Sequence, residues 1–393
     1  MRRDRRRGRG TGRRVHRQAR VDAGRRLHRR PHRPPGQAHG PRRRHRLRVG
    51  HRHRPVEDRR ARIRRRPRRR HPRGSRRQRR RPAVIVADLG DRYRFVTQPD
   101  HAALAGQFAD RWGGAAARPV PFDSLAVAAY LHDAGWTDYD RRPRLDDDGE
   151  PVDFRGMPAD PWIPLYEDGI EAVVDLDTYA GLLVSLHGAG LRNRRYGLSP
   201  EWPETPPAFE EFVEREQRRQ RRLLDDLPRD DPECPVSLAD EATLEAMHDP
   251  DRTPENPDGR LWDDYRRLQA WDALSLSFCL TDSPPGYGSV GPVPGADGTD
   301  ETLSITRVES DGDGAEADEP PGAGVDGEFR VDPYPFDTAP LAVGVPTRTV
   351  AKSAAGDPST LARAYYGAGR RTETFRLRPA NHRDTATTDR ISR

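Results

Sequence analysis

The sequence predicts a mainly helical domain with a small antiparallel β layer, preceded by an arm that does not fold. Three observations carry this reading. Residues 1–82 hold 37 Arg against 4 acidic residues, a net charge of +33, with 8 of the chain's 13 His and no Lys or aromatic residue. So little apolar content under so much like charge cannot offset chain entropy, so the arm reads as disordered. Residues 83–393 hold 58 acidic against 33 basic residues, a net charge of −25, and their apolar residues recur at helical spacing up to about residue 281. Beyond 283 the pattern changes to short β-rich runs between Gly, Pro and Asp clusters, which reads as strands and loops.

The elements follow in order. Two β-rich runs within 84–97 flank Gly90-Asp91, a hairpin signal. A helix then opens with Thr97 or Asp100 as cap and Pro99 in its first turn, and its stripe is His101, Leu104, Phe108 and Trp112. A second helix follows Pro121, aligns Phe122, Leu125, Ala129 and His132, and ends at Gly135. Residues 140–165, rich in Asp, Pro and Gly, read as a loop. Helices are expected over 164–175 and 178–188, the latter with Tyr179, Leu183, Leu186 and His187 on one side. Residues 209–224 read as a solvated, densely charged helix, and 240–247 as a short one. The last long helix, 260–281, aligns Leu261, Tyr265, Leu268, Asp272, Ser275 and Cys279. Strands are expected at 302–308, 327–333, 341–350 and 373–378, with a helix near 359–367. The β layer is read as a C-terminal feature that the 84–97 hairpin can join. The domain organisation is then a tail over 1–82, a helical metal-binding domain over 83–282, a flexible acidic, Gly- and Pro-rich linker over 283–326, a small β-rich accessory region over 327–380 and a tail over 381–393.

Composition narrows the function classes. No apolar run approaches the ~18 residues of a membrane span, and no apolar stretch follows the Arg-rich start as in a secretory signal. Cys234 and Cys279 make neither a disulfide framework nor a thiolate metal site, so a reducing, cytoplasmic setting is expected. The body carries a single Lys, Lys352, against 32 Arg. Such an acidic, Lys-poor surface suits high salt, where the Debye length falls to about 3 Å at 1 M, so a halophilic protein is expected. Three readings stay open for the arm: a nucleic-acid-binding segment, a linker without a partner, or translation from a start assigned too early. The abrupt change near Val84 and the missing aromatics favour the last. Nucleic acid is a partner only if the arm is real.

The chemistry concentrates in the few His outside the arm. These are His101, His132, His187, His248 and His382. Three fall on inward helix stripes, His132 is followed by Asp133, and Asp272 lies on the apolar face of the last long helix. A buried carboxylate costs several kcal/mol unless it is paired or bound to a cation. Imidazoles and carboxylates converging in a helical core suit a divalent metal, which supplies a hydroxide near neutral pH. Singly, each of these residues is more often an ordinary satisfied core group than a ligand; their joint occurrence points to a site. Trp136 and Tyr139 can stack a ring or pack the core. Asp140 can support the site or cap a loop. Arg192, Arg194 and Arg195 can hold phosphate oxygens or lie at the surface.

The order His101, His132-Asp133, Asp272 resembles the HD-domain superfamily of metal-dependent phosphohydrolases, and His-Asp-Ala-Gly-Trp at 132–136 is close to its His-Asp-Ile-Gly form. More specifically, Thr-Gln-Pro-Asp-His-Ala-Ala-Leu-Ala (97–105), that His-Asp stretch, Tyr-Ala-Gly-Leu-Leu-Val-Ser-Leu-His-Gly (179–188), Trp-Asp-Ala-Leu-Ser-Leu (271–276) and Asp-Pro-Tyr-Pro-Phe (332–336) resemble the uncharacterised family called domain of unknown function 3891. That resemblance spans about 84–380 and brings no activity with it.

The HD resemblance implies an HD-like helical bundle. It implies metal ligands at His101, His132, Asp133 and Asp272, with His187 as a further ligand or catalytic group beside Asp133. It implies one or two divalent ions, with Mn, Fe, Co, Ni, Zn and Mg not distinguished. The expected function is hydrolysis of a small phosphate ester by a metal-bound hydroxide, with Trp136, Asp140, Arg192 and Arg195 as candidate substrate contacts. The rivals are a non-catalytic metal- or ligand-binding module and a three-His helical enzyme of the DinB type, from which the late Asp272 separates it.

Overall fold

The first described residues form a hairpin. Strands β1 (Ile85–Asp88) and β2 (Arg92–Val96) turn at Gly90, whose φ of 87° lies in the left-handed region that glycine enters freely. The computed structural model describes residues 84–113, 118–200, 202–229, 236–255, 259–281, 284–295, 299–308 and 325–380. The arm, the 381–393 tail, Cys234 and His382 lie outside the described residues, as do the readings made of them.

Eight helices follow among the described residues: α1 (Gln98–Ala109), α2 (Phe122–Leu131), α3 (Ala159–Val174), α4 (Thr178–Gly190), α5 (Glu210–Asp226), α6 (Leu238–His248), α7 (Leu261–Cys279) and α8 (Pro358–Gly367). Side-chain caps set several starts. Thr97 Oγ1 accepts from the Asp100 N–H, Asp177 from that of Ala180, and Asp357 from that of Thr360. Asp240 closes a capping box with Ser237 on α6, and its other oxygen accepts the Arg260 and Leu261 N–H groups at 2.7 and 2.8 Å. One buried carboxylate therefore starts two helices.

Strands β3 (Ser289–Pro294), β4 (Asp300–Arg307), β5 (Gly327–Asp332), β6 (Leu341–Ala351) and β7 (Arg371–Pro379) join the hairpin in one sheet. Its order is β1-β2-β6-β7-β5-β4-β3, antiparallel except for the parallel β5–β7 pair. The expectation of a mainly helical bundle with a small antiparallel layer is overturned. The structure is 47% helix and 20% strand, and its seven-stranded mixed sheet curls into half a barrel. The physical reason is long-range pairing. Arg92 faces Ala351 across β2 and β6, and no local pattern reports such a partner. The stretch read as a linker also contains β3 and β4.

Helices and sheet share one core. Phe108 of α1 meets Phe278 of α7, which in turn meets Phe329 and Phe375 of the sheet. Gln107 reads the edge of Gly344 with both amide atoms, each at 2.9 Å, which fastens α1 to β6. Arg94 of β2 pairs with Glu373 at 2.8 Å and donates to the Phe278 and Cys279 carbonyls at the end of α7. The two helices that carry His101 and Asp272 are thus fixed to the sheet. Among the described residues no helix is long and apolar enough to cross a membrane.

Candidate metal centre

Four helix-borne segments bring the predicted residues together. His101 sits in α1, His132 and Asp133 end α2, His187 lies in α4 and Asp272 in α7. His101, His132 and His187 are 1–2% exposed and Asp133 is 4% exposed, so no bulk water screens them. The Nε2 atoms of His101 and His132 are 3.3 Å apart. Asp133 Oδ2 is 3.0 Å from the first and 3.7 Å from the second, and Asp272 Oδ1 is 3.8 and 3.5 Å away.

The outer hydrogen bonds decide what these atoms offer. Ser275 Oγ donates to the Asp272 carbonyl at 2.8 Å, so it must accept from His101 Nδ1–H, also at 2.8 Å. The Ala129 carbonyl accepts from His132 Nδ1–H at 2.9 Å. Each neutral ring therefore carries its proton on Nδ1 and turns a bare Nε2 lone pair inward. Two imidazole lone pairs and two carboxylate oxygens then face one another, an arrangement that repels unless a cation fills it. The donor set fits a divalent metal, and two imidazoles favour a transition ion over magnesium.

Without metal, protons do that work. Burial opposes charging of His132, but the carboxylates of Asp133 and Asp272 outweigh it and raise its pKa to about 9. Burial likewise favours protonation of Asp133 and Asp272, yet the surrounding imidazoles hold both below the usual carboxylate range. Binding a metal must displace a proton.

His187 differs. Its ring lies 4.9 Å from that of His132, the Gln269 amide nitrogen donates to its Nδ1 at 2.8 Å, and burial lowers its pKa to about 4. It is a neutral imidazole whose remaining proton sits on Nε2. Tyr166 donates to Asp133 Oδ1 at 2.8 Å and fixes that carboxylate. This contact depends on Gly135, because a Cβ there would come within 1.9 Å of the Leu165 carbonyl and push α3 away.

A cavity of about 430 Å³ opens over the cluster, with His101, Asp133, His187 and Asp272 at its floor. Arg192 and Arg195 line its wall. The Arg192 guanidinium packs into the corner between the perpendicular rings of Trp162 and Phe209, 4.5 and 4.3 Å from their ring centres. Arg195 is 9% exposed and donates to the Pro200 carbonyl. Among the described residues neither has a carboxylate partner, whereas the cavity's Arg155 and Arg266 pair with Asp153 and with Asp263 and Asp300. Arg194, Arg195 and Tyr196 have φ of 51°, 52° and 54°, a left-handed run that costs about 1–2 kcal/mol per residue.

Trp136 and Asp140 stand apart from this cavity. Trp136 is 1% exposed and packs edge-on to Tyr139 and Tyr166. Asp140 accepts the Val84 and Gln98 N–H groups at 3.2 and 2.6 Å, tying the hairpin to α1, and burial raises its pKa to about 7. Neither residue lines this cavity. The sequence reading passes over Tyr166, Gln269 and the role of Ser275. Pro164 hides the first five residues of α3, although Trp162 and Tyr166 are one helical turn apart; Ser275 stands one turn beyond Asp272.

The family model described as "Protein of unknown function (DUF3891)" matches residues 84–352, and the chain belongs to that family. No curated protein and no solved structure matches it.

Proposed function

We propose that this DUF3891 protein is a metal-dependent phosphohydrolase with the ligand order of the HD enzymes. The observation that supports it best is the convergence of four lone-pair donors beneath a cavity whose wall holds two arginines without carboxylate partners among the described residues. His101, His132, Asp133 and Asp272 hold the cation. When bound, a divalent ion lowers the pKa of a coordinated water and offsets charge on phosphoryl oxygens.

The chain's own groups do the rest. Ser275 and the Ala129 carbonyl keep both imidazoles in the ligating tautomer. Tyr166 fixes Asp133, which orients the attacking water. Arg192 and Arg195 hold phosphoryl oxygens, and the aromatic rings they pack on keep them in place, so little reorganisation is needed. As water adds to phosphorus and the ester P–O bond breaks, the proton the water loses ends on the departing oxygen, which accepts a hydrogen bond from neutral His187 and leaves as the alcohol.

The test is hydrolysis of p-nitrophenyl phosphate by the full chain loaded in turn with Mn, Fe, Co, Ni, Zn and Mg. Turnover should vanish with a chelator and fall by about 100-fold or more in Arg192→Ala. A protein shown to hold metal that hydrolyses neither this ester nor a broad panel of phosphomonoesters is not a phosphohydrolase.

A further inference from the structure

The cavity has a second end, and its chemistry differs from that of the floor. Among the described residues three large aromatic side chains are exposed: Trp202 at 42%, Tyr287 at 41% and Tyr366. Two of the three, Trp202 and Tyr287, line this cavity. An exposed aromatic ring is unremarkable alone, but two at the rim of one concave site leave a large apolar area wet until something covers it.

The backbone at both positions is constrained. Ser277 of α7 brackets the Tyr287 backbone, donating to its carbonyl at 3.2 Å and accepting its N–H at 3.1 Å. Tyr287 is therefore anchored to the helix that carries Asp272. Trp202 stands between prolines, Pro200 and Pro203, which limit the backbone around it. The Arg195 guanidinium carbon lies 5.9 Å from the Trp202 ring. Apolar side chains, among them Leu198, Leu276 and Val290, share the lining with the arginines. A volume of about 430 Å³ is in the range of small-molecule sites and exceeds what a phosphate group fills.

We propose that the substrate is a phosphomonoester carrying a flat ring, with the phosphoryl group on the floor and the ring against Trp202 and Tyr287. This rests on the phosphohydrolase reading and narrows its substrate class. Stacking on aromatic faces rewards a planar ring beyond the area it buries, which a flexible chain of equal carbon number does not obtain.

Calorimetry on the metal-loaded full chain tests it with three non-hydrolysable probes: methylphosphonate, n-hexylphosphonate and phenylphosphonate. Phenylphosphonate should bind at least about fivefold more tightly than n-hexylphosphonate. Trp202→Leu and Tyr287→Leu, which keep apolar bulk but remove the flat ring, should each weaken phenylphosphonate by about five- to tenfold and leave methylphosphonate unchanged. Equal binding of the hexyl and phenyl probes overturns the ring proposal while leaving the phosphohydrolase reading standing. So does an equal loss for phenylphosphonate and methylphosphonate in the variants. No binding of any of the three overturns both. A nucleoside 5′-phosphonate then separates ring sources: tighter binding than phenylphosphonate assigns a nucleobase, weaker binding an aryl group.

Discussion

Two buried polar clusters in this protein look alike by composition and differ in what they can bind. The first is His101, His132, Asp133 and Asp272. The second joins α4, α5 and α6: Ser185 donates to Glu216 Oε2 at 2.8 Å, Gln220 donates to Ser185 at 3.1 Å, and His248 Nε2–H donates to Gln220 Oε1 at 2.7 Å. Both contain imidazole and carboxylate, with His248 only partly buried. In the second, each of these contacts joins a donor to an acceptor, and the two buried atoms left without a partner among the described residues, Glu216 Oε1 and His248 Nδ1, belong to opposite ends of the run. In the first, outer hydrogen bonds turn the lone pairs toward a common point. Burial of His and Asp is therefore not the mark of a metal site; the direction of their lone pairs is.

Proton linkage breaks or sharpens this contrast most strongly. Burial lowers the His248 pKa to about 4, whereas the carboxylates around His132 raise its pKa to about 9. The unfolded value for both is about 6.5. Between pH 6.5 and 4 the unfolded state binds the proton that His248 refuses, so stability falls as pH drops. His187, also near 4, adds to that limb. Between pH 6.5 and 9 the native state holds the proton that the unfolded state has lost, so stability falls as pH rises. In urea melts of the metal-free protein each histidine should contribute up to about 3 kcal/mol to its limb, read as the difference between wild type and variant, because Asp140, raised to about 7, adds a slope of its own below pH 7. His248→Gln should flatten the acid limb and His132→Gln the alkaline one. A profile that leaves both limbs intact in the variants contradicts the assignment.

Backbone support comes next. Gly135→Ala meets the Leu165 carbonyl, and moving backbone should cost about 1–3 kcal/mol. Because α3 carries Tyr166, the same change should weaken metal binding, whereas an alanine at the solvent-open Gly367 should do neither. Chemical denaturation and metal titration check both. The smallest effect is Tyr166→Phe, which frees one oxygen of Asp133. Metal affinity should fall by about tenfold, with stability changed by about 1 kcal/mol. An unchanged affinity removes Tyr166 from the site.

The same contrast explains what sequence alone carries. The ligands are readable because helix periodicity places His101, His132, His187 and Asp272 on inward stripes, and the adjacent His-Asp pair is a short local motif. The second cluster is hidden by its own composition: the Glu-Arg-Glu-Gln-Arg-Arg run of α5 reads as solvated, yet Glu216 and Gln220 face inward and are fully buried. The sheet is only partly readable, since β2 and β6 pair across some 250 residues of chain and β3 runs through Gly291 and Pro292. Cavity contacts are the least readable. Trp136 sits beside the His-Asp pair in sequence but packs behind it, and Trp202 and Tyr287 reach the mouth from segments with no regular pattern.

Metal content is the most direct test of the account. The full chain, exposed to a divalent transition metal and freed of excess, is predicted to retain about one ion per chain. His132→Ala and Asp272→Ala should retain almost none, and His248→Gln should match the wild type. Equal retention in all four proteins, or no metal in the wild type, would contradict the claim that these lone pairs form a metal centre.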